Sequence, residues 1–377
     1  MWIHETPDWP NFQWNAETLA VPLADLRHRQ GRLLGQMEAL GFDLRREASL
    51  GVLTNDVVKT SAIEGENLNP TEVRSSIASR LGIPFAGAVP ASRDVEGIVE
   101  ILLDATQNFD APLTEDRLFN WHAALFPTGR SGMQRIVVGG LRTGENGPMR
   151  VVSGAYGREK VHFEAPGAET LKQALSGFLS WFEGDQGMDP VLKAGIAHFW
   201  FVTLHPFDDG NGRIARAIGD LALSRADGTA DRFYSLSSQI EAERSDYYRE
   251  LERQQRGTVD LTPWLGWFLG CLGRAIDGAE QSLARVIYKA RLWEFVNQFP
   301  VNDRQRRVIN RMLEDDFQGH LTTSKYAKLA KTSADTALRD IQDLKGRGVL
   351  VQNPGAGRST SYRLLPPDLL DLPRHTE

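Results

Sequence analysis

The twelve residues from His205 to Arg216 read H-P-F-D-D-G-N-G-R-I-A-R, and the stretches on either side carry helical spacing. Gly210-Asn211-Gly212 therefore falls on the loop that opens a helix. A helix start offers unpaired backbone N–H groups and the positive end of the helix dipole, which suits a phosphate. Glycine lets that backbone approach an anion closely and adopt positive φ. Arg213 and Arg216 are three apart on one helical face, where two guanidiniums can neutralise further phosphate oxygens. Asp209 is the metal candidate, since magnesium takes few protein carboxylates and keeps the oxygens of a polyphosphate. His205, whose side-chain type has an unperturbed pKa of about 6.5, is the natural base. Together these parts describe transfer of a phosphorus group from a nucleotide to a nucleophile. A calcium loop is the competing reading of D-D-G-N-G. It fails because Arg213 stands where an EF-hand needs an oxygen ligand and the closing Glu is missing.

Outward from this segment the pattern is mainly helical. On the N-terminal side the spacing predicts helices over 19–40, 45–63, 70–80 (with Asn69 as cap and Pro70 at the first position), 92–108 and 113–125. Residues 129–167, rich in Gly, Arg, Val and Thr, read as one or two hairpins. Helices resume over 169–183, 190–204, 212–225 and 244–256, and a long pair covers 262–299. The run from Leu261 to Gly273 is too short to span a bilayer and reads as a buried helix. Beyond Pro300, three helices are followed by two β-rich stretches around Pro354-Gly355-Ala356-Gly357, the layout of a winged helix-turn-helix.

Composition bounds the rest. The chain has 377 residues, enough for two or three domains, with 41% hydrophobic and 24% charged residues, so wholesale disorder is excluded. With 43 Lys plus Arg against 49 Asp plus Glu, the net charge is −6, which argues against bulk electrostatic coating of nucleic acid. The single Cys271 excludes an internal disulfide framework and cysteine-rich zinc modules. The start, M-W-I-H-E-T-P-D-W-P, lacks a signal-peptide pattern, so a cytoplasmic protein without membrane association is expected.

The segment His205–Arg216 resembles the signature H-x-F-x-[D/E]-G-N-G-R-x-x-R of the Fic family, whose members mostly transfer AMP from ATP to protein hydroxyls; every fixed position is present. The resemblance implies that His205 deprotonates a Ser, Thr or Tyr hydroxyl of a protein target, or of the chain itself, which attacks the α-phosphate. It implies that Asp209 holds Mg2+ and that Asn211 forms the anion hole with the backbone of Gly210 and Gly212. Arg213 and Arg216 would manage the β- and γ-phosphates, and Phe207 would anchor the loop. Position 212 is glycine, whereas the branch that phosphorylates its target carries lysine there. The implied fold is a helical core with a β-hairpin flap, here followed by the winged-helix module. The division expected is 1–92, 93–296 and 297–377.

Thr60 to Gly65, T-S-A-I-E-G, is similar to the family's inhibitory pattern [S/T]-x-x-x-E-[G/N]. Glu64 precedes Gly65, a helix-ending residue, so its carboxylate sits at the negative end of a helix and needs a cationic partner elsewhere. In the family that partner is the second signature arginine, here Arg216. Residues 155–163 match the family's flap, which binds the target peptide as an added strand. Tyr247, Tyr248 and Gln255 occupy positions resembling the adenine pocket. Two alternatives stay open: Glu64 positions a water and the enzyme removes AMP, or the chain is a nucleotide-sensing DNA-binding regulator. Residues 321–365 hold eight Lys or Arg against three Asp, and Ser333, Asp335, Thr336, Arg339 and Arg358 are candidates for DNA or protein contact. A second copy of the chain is a further candidate partner.

Overall fold

In the computed structural model, residues 1–377 are described except 85–87, 146, 155–157, 315–316, 355–359 and 371–377. Among these residues the architecture is mostly helical, with three two-stranded antiparallel sheets. The chain divides into two compact units, Met1–Glu280 and Gln281–Glu377.

The first unit opens with α1 (Ala16–Glu38), α2 (Phe42–Ile63), α3 (Pro70–Arg80), α4 (Arg93–Gln107) and α5 (Glu115–Leu125). Side-chain caps explain most of the starts: Asn15, Asn69, Ser92 and Thr114 each accept a backbone N–H from the first turn. Pro22 lies in the second turn of α1 without breaking it. Two short hairpins follow, β1 (Arg130–Ser131) with β2 (Gln134–Arg135), then β3 (Arg150–Ser153) with β4 (Lys160–Glu164). The helices α6 (Leu171–Glu183), α7 (Pro190–Leu204), α8 (Asn211–Asp227), α9 (Leu236–Ala242), α10 (Arg244–Gln255) and α11 (Thr262–Val296) complete the run.

The core is organised on α7 and α8. In α7, buried side chains run almost without break from Val191 to Leu204, as expected of a helix apolar on every face. Helix α8 is buried from Ile214 to Ser224 and packs along α7. The apolar start of α11 covers α7, with the Trp264 indole donating to the Gly195 carbonyl at 2.8 Å and Leu265, Phe268 and Leu272 buried. Cys271 is a free, buried thiol there. Among the described residues, no helix is long and apolar enough to cross a membrane.

The second unit has its own core. Helices α12 (Asp303–Met312), α13 (Thr323–Ala330) and α14 (Ala334–Gly346) precede the hairpin of β5 (Leu350–Gln352) and β6 (Tyr362–Leu364). Val308, Ile309, Leu321, Tyr326, Ile341 and Leu344 fill it. Leu292 and Val296 belong to this core too, which is why the unit begins inside α11 at 281 rather than at 297. The expected pair over 262–299 is one helix, because no glycine or proline breaks its periodicity after Gly278. Helix α9 has no counterpart in the sequence reading; seven residues carry too little periodicity to register.

Candidate active site

Helix α7 ends where His205 turns into the left-handed region, at φ 48° and ψ 56°. That conformation is uncommon for a residue with a Cβ. The imidazole Nδ1 lies 3.3 Å from the Val202 carbonyl oxygen. A carbonyl only accepts, so Nδ1 carries the proton and Nε2 presents its lone pair. Burial pushes the His205 pKa down to about 4, with the Arg142 charge adding to the effect, against the opposing pull of the Val202 carbonyl, Asp209 and Glu64. The side chain is therefore a neutral base at physiological pH.

The loop after His205 is fastened from within and from outside. The Asn211 carboxamide accepts the Phe207 N–H at 3.0 Å and donates to the Phe207 carbonyl at 2.8 Å. Phe207 itself is fully buried. The Asn211 side chain is thus committed to shaping the loop, which leaves the backbone N–H groups that open α8 as the candidates for an anion. Gly210 sits at φ 79°, and a Cβ there would meet the Phe126 ring at 2.9 Å. Asp208 accepts the Val137 N–H at 2.8 Å, and the Asp209 carboxylate accepts from the Ser131 hydroxyl and from the Gly210 N–H.

Two further residues hold this loop and were not found from sequence. His122 stacks on Phe207 with ring centroids 4.2 Å apart. Its Nδ1 accepts the Gly139 N–H at 3.1 Å, which leaves Nε2 to donate to the Asp209 carbonyl at 3.2 Å. Both bonds require the neutral ring, and burial lowers its pKa to about 4. Arg142, buried, donates to the His205 carbonyl at 2.7 Å and to the Pro166 carbonyl. Nothing in the sequence near His122 or Arg142 signals their partners in the loop, the Asp209 and His205 carbonyls, which lie 87 and 63 residues away.

The arginines of α8 face the end of α2. Arg216 Nε donates to the Thr60 hydroxyl at 2.6 Å, and its second amino group donates to the Thr60 carbonyl at 3.0 Å and to Glu64 at 2.7 Å. Burial works against the Arg216 charge, but Glu64, Tyr247 and Tyr248 outweigh it and raise the pKa above the usual arginine value. Glu64 is the C-terminal cap of α2, and Gly65 follows at φ 85°. A Cβ on Gly212 would lie 2.3 Å from the Glu64 carboxylate, so glycine at 212 is what admits the carboxylate to the first turn of α8. Arg213 donates to Glu66 at 2.8 Å and lies 5.3 Å over the Phe126 ring. Glu66 was not among the residues read as inhibitory.

A cavity of about 490 Å³ joins these groups: Glu64, His205, Gly212, Arg216, Tyr247, Tyr248 and Gln255 all line it, with Val151, Ser153 and His162 of the hairpin opposite. Tyr247 is buried, with its hydroxyl 2.9 Å from His198 Nε2, whereas Tyr248 is exposed. The buried Gln255 amide donates to the Thr203 hydroxyl at 3.3 Å. Asp209 lies instead in a second, polar cleft of about 630 Å³ with Ser131, Arg142, Arg150 and Asp208. The hairpin pairs Arg150 with Glu164, Val151 with Phe163, Val152 with Val161 and Ser153 with Lys160, with an irregularity after Val151. Of the expected flap 155–163, residues 155–157 lie outside the described residues. In the C-terminal unit Ser333 caps α14 and Asp335 and Arg339 are exposed, while Arg358 lies outside the described residues.

Residues 112–223 match the model of the Fic/DOC family, and residues 2–83 match a domain of unknown function, DUF4172. The first match contains His122, Arg142 and the whole His205–Arg216 loop; the second contains Thr60, Glu64 and Glu66. "Protein adenylyltransferase fic-1" of Caenorhabditis briggsae is 28% identical over 244 residues, 60% of this chain and 44% of that protein. Its namesake in Caenorhabditis elegans is 29% identical over 211 residues, 55% of this chain and 37% of that one. The chain thus spans less than half the length of these curated relatives. A crystal structure of a Fic family protein from Desulfovibrio desulfuricans G20 shares the fold, with a TM-score of 0.51 and 21% identity over 91% of this chain and 95% of that one.

Proposed function

Since the chain carries a Fic/DOC domain over residues 112–223, we propose that it is an autoinhibited AMP-transferase, moving AMP from ATP to the hydroxyl of a Ser, Thr or Tyr in a protein. The observation that carries this reading is one cavity lined by His205, the start of α8 and Arg216, with Glu64 bonded to that arginine at 2.7 Å. The backbone N–H groups at 211–213 receive a phosphate, and Arg213 and Arg216 serve the outer phosphate oxygens. His205 Nε2 takes the proton of the attacking hydroxyl. The tyrosines and Gln255, which line the same cavity, would border the adenine.

Asp209 suits Mg2+ in the way this ion is usually held, by one or two carboxylates together with substrate phosphates. Its carboxylate stands at the rim of a polar cleft beside the Ser131 hydroxyl. Bound there, the ion would neutralise phosphate oxygens. The residues of the chain supply the base and the anion site.

Glu64 is the brake. Its carboxylate occupies Arg216, the cation the outer phosphates need, and fills the space over Gly212. Phosphate oxygens and Glu64 compete for the same guanidinium, so removing the carboxylate frees the site. Mass spectrometry after incubation with ATP and magnesium tests both parts. Glu64→Gly is expected to raise AMP incorporation into an added protein about tenfold or more, and adding His205→Ala to it abolishes that incorporation. Unchanged labelling in Glu64→Gly removes the brake; labelling of the added protein that survives His205→Ala removes the base. Measuring AMP release from a pre-labelled protein separates transfer from the reverse reaction.

A further inference from the structure

Opposite His205, the wall of the same cavity holds a second hydroxyl–imidazole–carboxylate chain. Ser153 on β3 has its Oγ 2.6 Å from His162 Nε2 on β4, and His162 Nδ1 lies 2.7 Å from a Glu252 oxygen on α10. All three residues line the cavity that contains His205 and Arg216, and Ser153 is exposed. The protonation states follow from chemistry. The Glu252 carboxylate is held ionised by its bond to His162, with Lys160 and Arg256 nearby. An ionised carboxylate only accepts, so Nδ1 carries the ring proton. In the neutral ring Nε2 then has a lone pair, to which the Ser153 O–H donates. A nucleophile within hydrogen-bond reach of a base that a third group orients is the arrangement of an activated serine.

A tie that merely held the hairpin to α10 would not need this order of groups. The hairpin is already fastened there by the Arg256 guanidinium, which donates to the Val161 carbonyl at 3.0 Å. What lies in the cavity is the phosphate-binding machinery.

We propose that Ser153 is an acceptor site of the chain's own AMP transfer, with His162 as its base and Glu252 orienting His162. The proposal rests on the AMP-transfer reading above. Ser153 Oγ attacks the α-phosphorus of ATP and forms a new P–O bond. The bond from that phosphorus to the α,β-bridging oxygen breaks, and pyrophosphate leaves with the electron pair. The serine proton passes to His162 Nε2, and the resulting imidazolium is held against Glu252. The product is a phosphodiester linking Ser153 to the 5′-phosphate of AMP on the hairpin itself.

The test uses the full-length Glu64→Gly chain incubated with ATP and magnesium, followed by proteolysis and fragment mass spectra that separate Ser153 from Tyr156. The expected result is an AMP adduct on Ser153. In that background Ser153→Ala removes the adduct, and His162→Gln lowers its rate of formation about 100-fold. Glu252→Gln lowers that rate in the same direction. Adducts found only at other residues overturn the proposal and leave AMP transfer standing. A Ser153 adduct formed equally fast in His162→Gln overturns the role of His162. Absence of AMP from every residue and every added protein overturns the underlying activity as well.

Discussion

The loop His205–Arg216 and the hairpin 150–164 face each other across one cavity, yet they are built on opposite plans. The loop is fixed by directed side-chain bonds: Asn211 clasps Phe207, His122 and Arg142 grip carbonyls, and Glu64 and Thr60 hold Arg216. The hairpin is a single two-stranded ladder with Val151 and Val152 partly exposed, joined to α10 through His162 and Arg256. A site that must place backbone N–H groups against a phosphate needs the first plan, because misplacement of about 1 Å is costly to rate. A surface that receives varied peptide segments suits the second, since an open strand edge offers main-chain bonds with little demand on side chains.

Three measurements press on that contrast. Asn211→Ala carries the largest expected loss of stability, about 2–4 kcal/mol, because it leaves the buried N–H and C=O of Phe207 without partners. Urea denaturation checks it, and a change below about 0.5 kcal/mol means the clasp does not hold the loop. An NMR titration of the His205 ring follows. Burial holds its pKa near 4, so the ring stays neutral as pH falls through 6.5 and takes up its proton only near 4. In the unfolded chain the same ring protonates at about 6.5, so its contribution to stability is lost as pH falls between these two values. A midpoint at or above 6.5 in the folded protein contradicts the buried neutral base. The smallest effect belongs to Val152→Ala on the hairpin. Stability should change by no more than about 0.5 kcal/mol, as for most exposed substitutions. The KM for a protein acceptor should rise with kcat little altered, measured by AMP incorporation, and an equal KM removes the strand as a docking edge.

The two regions also differ in how much of them could be read before the structure. The loop was legible because its chemistry is contiguous: base, carboxylate, glycines and arginines fall within twelve residues between two periodic segments. Glu64 was legible for a related reason, since an acid beside a helix-ending glycine needs a distant cation. The supports were not. His122 is one residue in an ordinary helix, and its role arises only when α5 packs under the loop and brings its ring to Phe207. Asn211 was assigned to the phosphate, yet its two bonds run back to Phe207, a four-residue closure that residue type alone does not reveal. Glu66 acquires meaning only once α8 brings Arg213 within 2.8 Å. Among elements, α3 was read to its first residue because Asn69-Pro70 marks a start chemically. The seven-residue α9 and the unbroken α11 were not, since one has too little periodicity and the other no stop signal.

The central claim is that Glu64 and the outer phosphates of ATP compete for Arg216. A crystal structure of Glu64→Gly with ATP and magnesium tests it most directly. The account predicts phosphate oxygens against the N–H groups of 211–213 and the Arg216 guanidinium, with the α-phosphorus facing His205 Nε2. A nucleotide bound outside this cavity, or one that leaves Arg216 untouched, would contradict it.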